Sequence, residues 1–311
     1  MEVVAVNDVA PLPTLAHLLR YDSTYGRWPT PIESDEDHLS IDGHLIRVLD
    51  HTRPEDIDWR AHDVDVVVEA TGRFRTRERA GAHIAHGSAR KVVLTAPGTD
   101  VDATIVMGLN DDVYDPHDHH LASNASCTTN WAAPMAHVLQ HAFGIRHGLL
   151  TTVHSYTGDQ NLIDGPHTDL RRARSAAVNM VPTSTGAARA ITEILPELAG
   201  RLDGVAVRVP VADVSLVDLT VQLAEEATTG QVNRAFMVAA EGHLKGILRY
   251  TTDPIVSSDV LGDSASCVFD AGPHPGDGDL VKVFGWYDNE WGYAQRTIDL
   301  VEMIARTLPG R

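Results

Sequence analysis

The pattern of apolar and polar positions changes character about halfway along the chain. In the first half, short apolar runs at Val3 to Asn7, Val64 to Glu69 and Arg90 to Thr95 alternate with helical stretches at Thr14 to Leu19 and Arg75 to His86. Runs that are apolar throughout belong to strands covered on both faces, so a parallel sheet with crossover helices is predicted here. In the second half the runs Gly148 to His154, Ala206 to Pro210, Leu216 to Gln222, Ser266 to Phe269 and Leu280 to Trp286 are longer and alternate. That period predicts a largely antiparallel sheet with one wet face. A helix should start at Cys127, with Trp131, Met135, Val138, Leu139 and Ala142 on one stripe, and Pro134 should kink it or set off an opening turn. A last helix is expected over Ala294 to Thr307. Between His154 and Val178 runs a long polar segment with three arginines, and connections of that length are usually functional.

Composition narrows the class. A chain of 311 residues accommodates about two domains. Its 43 acids against 25 bases give a net charge of -18, which disfavours nucleic acid as a partner and requires any phosphate ligand to find local cations. Two cysteines cannot build a disulfide framework, and a reducing, cytoplasmic setting is expected. The N-terminus lacks the basic and apolar regions of a signal peptide, no apolar run is long enough to span a bilayer, and no membrane partner is expected.

Candidate chemistry centres on Ser123-Asn-Ala-Ser-Cys-Thr-Thr-Asn130. A helix start and a nearby cation both lower a thiol's pKa, which is what a cysteine nucleophile needs at neutral pH. The alternative is a small residue that merely packs, a role that suits Cys267. His154, at the end of a strand in Thr152-Val-His-Ser-Tyr-Thr-Gly-Asp159, is the candidate base. Anion-binding candidates are Thr128, Thr129, Arg171, Arg172, Arg174, Thr183-Ser-Thr-Gly186 at the mouth of an Ala-rich helix, and Arg208. His117, His119 and His120 read as a solvated acidic loop, and no metal site is expected.

In this order SNASCTTN, TVHSYTGDQ, DLRRARSAAVNMVPTSTGAA, VAVRVP, EGHLKGILRYTTDPIVSSD and WYDNEWGY resemble phosphorylating glyceraldehyde-3-phosphate dehydrogenase along essentially the whole chain. The resemblance implies a Rossmann-type NAD-binding domain over residues 1–126 with 290–311. An α+β catalytic domain with a largely antiparallel sheet would occupy residues 127–289. It implies that Cys127 attacks the aldehyde carbon of glyceraldehyde 3-phosphate with His154 as base, and that inorganic phosphate then attacks a thioester. Thr157 and Arg208 would hold the substrate's phosphate. Ser126, Thr128, Arg172, Thr185 and Gly186 would hold the attacking one. Asp8, Arg53, Thr71, Gly72, Thr95 and Asn289 would contact the NAD cofactor. Asp8 would repel a 2′-phosphate and, with Pro166, favour NAD over NADP. A homotetramer is also implied.

One departure from the family pattern stands out. In the family the strand matching Val3 to Asn7 follows a first strand, a Gly-rich turn and a helix, whereas this sequence starts at Met1-Glu-Val-Val and holds no G-x-G-x-x-G in its nucleotide half. An N-terminally shortened form is therefore expected, with a split sheet and a doubtful cofactor domain. Trp131 also replaces the second cysteine usual four residues after the nucleophile. The alternatives are an erythrose-4-phosphate dehydrogenase and a non-redox remnant acting as an interaction or thiol-sensor protein.

Overall fold

The computed structural model describes residues 1–272 and 277–309. The chain separates into two compact units: residues 1–104, 113–124 and 298 onward form the first, and residues 105–112 and 125–297 the second. Three stretches, 105–112, 125–126 and 290–297, therefore fall with the second unit rather than on the side the sequence-based boundaries gave them. Val106 lies in the core of the second unit and Gly108 packs on Ile247, which carries 105–112 with that unit. Arg296 donates to the carbonyls of Gly246 and Ser264, which does the same for the start of the last helix.

The first unit is built from β1 (Ala5–Asn7), α1 (Leu12–Arg20), a small ribbon of β2 (Tyr21–Asp22) and β3 (Gly26–Arg27), then β4 (Ile32–Ser34), β5 (His38–Ile41) and β6 (His44–Leu49). There follow β7 (Val66–Glu69), α2 (Arg77–Ala80), α3 (Ala82–Ala85), β8 (Lys91–Leu94), β9 (Ala103–Thr104) and β10 (Leu121–Ser123). The expected single crossover helix over 75–86 is two short helices that meet at Gly81. Apart from the ribbon, the strands form two four-stranded sheets rather than one. The orders are β1-β6-β5-β4, parallel only between β1 and β6, and the all-parallel β7-β8-β10-β9. All four residues of β8 are buried, as a strand covered on both faces requires. Asn7 clamps the end of β1, its side-chain amide exchanging two 2.9 Å hydrogen bonds with the backbone of His51.

The second unit opens with α4 (Cys127–Phe143), followed by β11 (Ile145–Ser155), β12 (Val181–Ser184), α5 (Ala187–Ile194), β13 (Leu202–Val209) and β14 (Ser215–Ala227). Then come α6 (Thr229–Glu241), β15 (Leu248–Thr251), β16 (Cys267–Asp270), β17 (Gly278–Tyr287) and α7 (Trp291–Thr307), whose second half counts with the first unit. The seven strands run β12-β13-β11-β14-β17-β16-β15, antiparallel except for the β11–β13 and β15–β16 pairs. Along β14 every second residue from Ser215 to Leu223 is buried, so one face meets the core and the other is left partly open, as the alternation predicted.

Helix α4 lies against that buried face and runs unbroken through Pro134, in place of the expected kink or separate opening turn. Trp131, Met135 and Leu139 are fully buried on it. The Trp131 indole is accommodated because position 285 of β17 has no side chain. A Cβ on Gly285 would stand 2.5 Å from the indole Cζ2. Gly285→Ala is expected to destabilise the protein by ~1–3 kcal/mol through this overpacking, seen as a lower Tm. An unchanged Tm would show that the indole can move aside.

Candidate active site

Parallel pairing of β11 with β13 sets His154 directly opposite Arg208 in register. Cys127 reaches this strand end from the first residue of α4. Ser126 caps the helix, its Oγ accepting the Thr129 N–H at 3.0 Å, and Ala125 just before it holds a left-handed φ of 54°. A non-glycine residue keeps that conformation only where its surroundings enforce it, and here the Tyr293 hydroxyl donates to the Ala125 carbonyl at 2.8 Å. The resulting turn brings Cys127 Sγ to 3.6 Å from His154 Nε2.

The Ser155 carbonyl fixes the imidazole. It lies 2.7 Å from His154 Nδ1 and also accepts from Arg208 Nη1 at 2.9 Å. Arg208 Nη1 also lies 2.8 Å from Nδ1 itself, so Nδ1 sits between a donor and an acceptor while Nε2 is the ring nitrogen that faces the thiol. Burial lowers the His154 pKa to about 4, and the Arg208 guanidinium acts in the same direction. Burial pushes the Cys127 thiol up, against the opposing pull of Arg208 and Thr128. This corrects the expectation of a thiol acidified by helix start and cation, because desolvation outweighs both. The resting pair is a neutral thiol aimed at a neutral imidazole. Cys267 is wholly buried and its pKa is raised further still, by burial first, which leaves it inert.

Tyr287, which sequence reasoning passed over, completes the wall. Its hydroxyl lies 3.0 Å from Thr128 Oγ1 and 3.1 Å from Thr152 Oγ1, and its ring stands edge-on to His154 at 5.9 Å. The only sequence signal for it was its place directly before Asp288-Asn289. Asn289 is buried, its Oδ1 accepting from the hydroxyls of Ser155 at 2.8 Å and Ser215 at 2.7 Å, while its Nδ2 donates to Glu290 Oε1 at 3.4 Å. Val214, next to Ser215, has a φ of 69°, a strained value for a β-branched residue.

The expected phosphate ligands are only partly assembled. Ser126 Oγ accepts the Thr129 N–H and lies 2.7 Å from Thr129 Oγ1, and the Thr128 hydroxyl meets that of Tyr287 at 3.0 Å. Thr185 Oγ1 accepts the Ala187 N–H at 3.2 Å at the start of α5, and Gly186 caps that helix beside open space. Arg172, expected in the same group, instead shares Asp159 with Thr157 of the other group. Arg174 pairs with Asp164 on the surface, as a solvated cation does.

In the first unit Asp8, Thr71, Gly72 and Thr95 lie at or just beyond the C-terminal ends of β1, β7 and β8, where parallel sheets receive nucleotides. Glu69 organises two of them. Its carboxylate accepts from the Thr71 N–H at 2.9 Å and from the Thr71 hydroxyl, and its carbonyl accepts the Thr95 N–H at 3.1 Å. His83 Nε2 stands 3.1 Å from the same carboxylate, and Trp59 Nε1 donates to His83 Nδ1 at 2.9 Å, which fixes the tautomer. Burial pushes the Glu69 pKa up, but the bonds from His83 and Thr71 outweigh it and hold it below the usual range. The donor set of the first unit fits NAD: a carboxylate for ribose hydroxyls at Asp8 and a left-handed Gly72 (φ 69°) beside open space. Arg53, the remaining expected contact, is exposed and pairs with Glu55 at 3.3 Å and Asp56 at 3.5 Å.

A Rossmann-type unit together with a cysteine–histidine pair at the start of a buried helix defines a cysteine-dependent, nucleotide-using dehydrogenase. Residues 1–77 match the glyceraldehyde 3-phosphate dehydrogenase NAD binding domain, and residues 126–289 match the glyceraldehyde 3-phosphate dehydrogenase C-terminal domain. Over 99% of this chain and 92% of the relative, the sequence is 53% identical to a glyceraldehyde-3-phosphate dehydrogenase of Streptomyces coelicolor. It is 52% identical to that of Geobacillus stearothermophilus over 98% of this chain and 91% of the relative. The chain belongs to the glyceraldehyde-3-phosphate dehydrogenase family.

The charge state of the pair has a measurable consequence. In the ligand-free protein, iodoacetamide alkylation of Cys127 should rise about tenfold per pH unit up to and beyond pH ~8.5, the ordinary thiol value, because reactivity follows the thiolate fraction. A plateau below pH ~7 would instead reveal a preformed thiolate–imidazolium pair. Arg208→Gln removes the cation that opposes the burial effect and should slow alkylation at pH 8.

Proposed function

We propose that this protein oxidises glyceraldehyde 3-phosphate, with NAD and inorganic phosphate, to 1,3-bisphosphoglycerate. The observation that carries the reading is the Cys127 thiol 3.6 Å from His154 Nε2, on a chain of this family. As Sγ adds to the aldehyde carbon, the thiol proton passes to Nε2 and on to the carbonyl oxygen, giving a thiohemiacetal. His154 then takes that hydroxyl proton back while the carbon gives up its hydride. Asp8, Thr71, Gly72, Thr95 and Asn289 would contact NAD, which when bound supplies the hydride acceptor. Inorganic phosphate attacks the thioester carbon, the C–S bond breaks, and the thiol is restored with a proton.

The low pKa of His154 suits this sequence: a neutral imidazole is available as base across the physiological range. Arg208 and Thr157 carry the recognition of the substrate's phosphate, and Ser126, Thr128, Arg172, Thr185 and Gly186 that of the attacking one. The erythrose 4-phosphate and non-redox readings gain no separate support from the geometry.

A homotetramer in the cytoplasm accounts for the remaining surface. Leu162, Ile163, Leu170, Val178 and Met180, all in the segment after β11 and all exposed at 75% or more, form an apolar run that another copy of the chain would cover. A net charge of -18 supports the absence of a nucleic-acid partner, and no helix among the described residues is long and apolar enough to cross a membrane.

Mixing the purified protein with NAD, phosphate and glyceraldehyde 3-phosphate should produce NADH, and no NADH would overturn the reading. Cys127→Ser should abolish NADH production while NAD binding by calorimetry is retained. Arg208→Ala should raise KM for the phosphorylated aldehyde by at least about tenfold, and an unchanged KM would remove Arg208 from substrate recognition.

A further inference from the structure

Thr157 and Arg208, assigned to the substrate's phosphate, and Arg172, assigned to the attacking one, already share an anion supplied by the protein. Asp159 Oδ2 accepts from Arg172 Nη1 at 2.7 Å, and Oδ1 accepts from the Thr157 hydroxyl. Arg208, the third member of the cluster, acts on the same carboxylate through its charge. We propose that Asp159 is an internal surrogate for phosphate, which occupies the Thr157, Arg172 and Arg208 cluster until a phosphorylated ligand displaces it and thereby sets affinity and selectivity at this subsite. The inference rests on the assignment of that cluster to phosphate recognition.

Three features support the displacement. A carboxylate and a phosphate dianion cannot both accept from the same donors without severe like-charge repulsion, so one must leave. Asp159 is free to do so, since its side chain is 41% exposed and its recorded partners are the groups a phosphate would claim. Arg172 would stay in place without it. Its Nε donates to Thr183 Oγ1 at 3.1 Å, and Thr183 is in turn fixed by Asp169 at 2.5 Å. The cluster is therefore built to survive the exchange. Asp159 itself is held ionised: burial pushes its carboxyl up, and the Thr157 hydroxyl, Arg208 and Arg172 more than reverse this.

An internal competitor lowers the affinity for every phosphorylated ligand, but it also means that an aldehyde without a phosphate leaves the cluster closed. Asp159 is thus a specificity-determining residue rather than a catalytic one, and its effect belongs in KM and binding rather than in kcat.

The test uses full-length protein and glycerol 3-phosphate, an unreactive phosphate monoester, in calorimetric titrations. Asp159→Asn keeps the shape and removes the charge, and it should bind glycerol 3-phosphate at least about tenfold more tightly than wild type, whereas Asp159→Glu should stay within about threefold. Equal or weaker binding by Asp159→Asn, with its far-UV circular dichroism and Tm matching wild type, would overturn the proposal and make Asp159 a ligand-positioning group. In turnover, Asp159→Asn should lower KM for glyceraldehyde 3-phosphate with kcat within about twofold. A fall in kcat with unchanged KM would also overturn it. NADH formation by wild type reports on the enzymatic reading separately, so failure of one is not failure of the other.

Discussion

The register between β11 and β13 is the constraint on which the second unit's chemistry depends. It fixes His154 across from Arg208, and the Ser155 carbonyl then ties both side chains to one oxygen. A slip of one residue would send either side chain to the opposite face of the sheet and separate the imidazole from α4. The pairing is held on its other side by the antiparallel run of β14 against β11, whose buried residues form the floor beneath the helix. The site is therefore specified by sheet geometry first and by helix position second. Cys127 only has to arrive, and the strained turn at Ala125 delivers it.

Desolvation gives this geometry its chemical character. Both members of the pair are driven towards their neutral forms, one up and one down in pKa, by the same low-dielectric surroundings. Arg208 acts on the two in opposite senses: it assists ionisation of the thiol and opposes ionisation of the imidazole. Proton movement between them is thus coupled to whatever screens or satisfies Arg208. The Glu69, His83 and Trp59 chain plays a comparable part in the first unit, where a buried carboxylate sets the loops after β7 and β8.

Much of this was legible in the residues themselves. The strands of the second unit followed from alternation, and the nucleophile and base followed from motif order, because both signals are local. What escaped were relations between distant positions. Tyr287 meets Thr128 and Thr152 only after β14 and β17 have paired, and Asp159 meets Arg172 only after the long segment has folded back on itself. The sign of the Cys127 shift was lost for the same reason. A helix start is visible in sequence, but the depth of burial around it is not.

Trp131 has one more consequence. An indole fills the position one helical turn beyond the nucleophile, locked there by the absent side chain of residue 285, and the other cysteine of the chain is sealed in the core. Helix α4 therefore offers Cys127 no neighbouring sulfur. Once oxidised to a sulfenic acid, it cannot be captured as a disulfide within its own helix, and its recovery depends on a thiol arriving from solution.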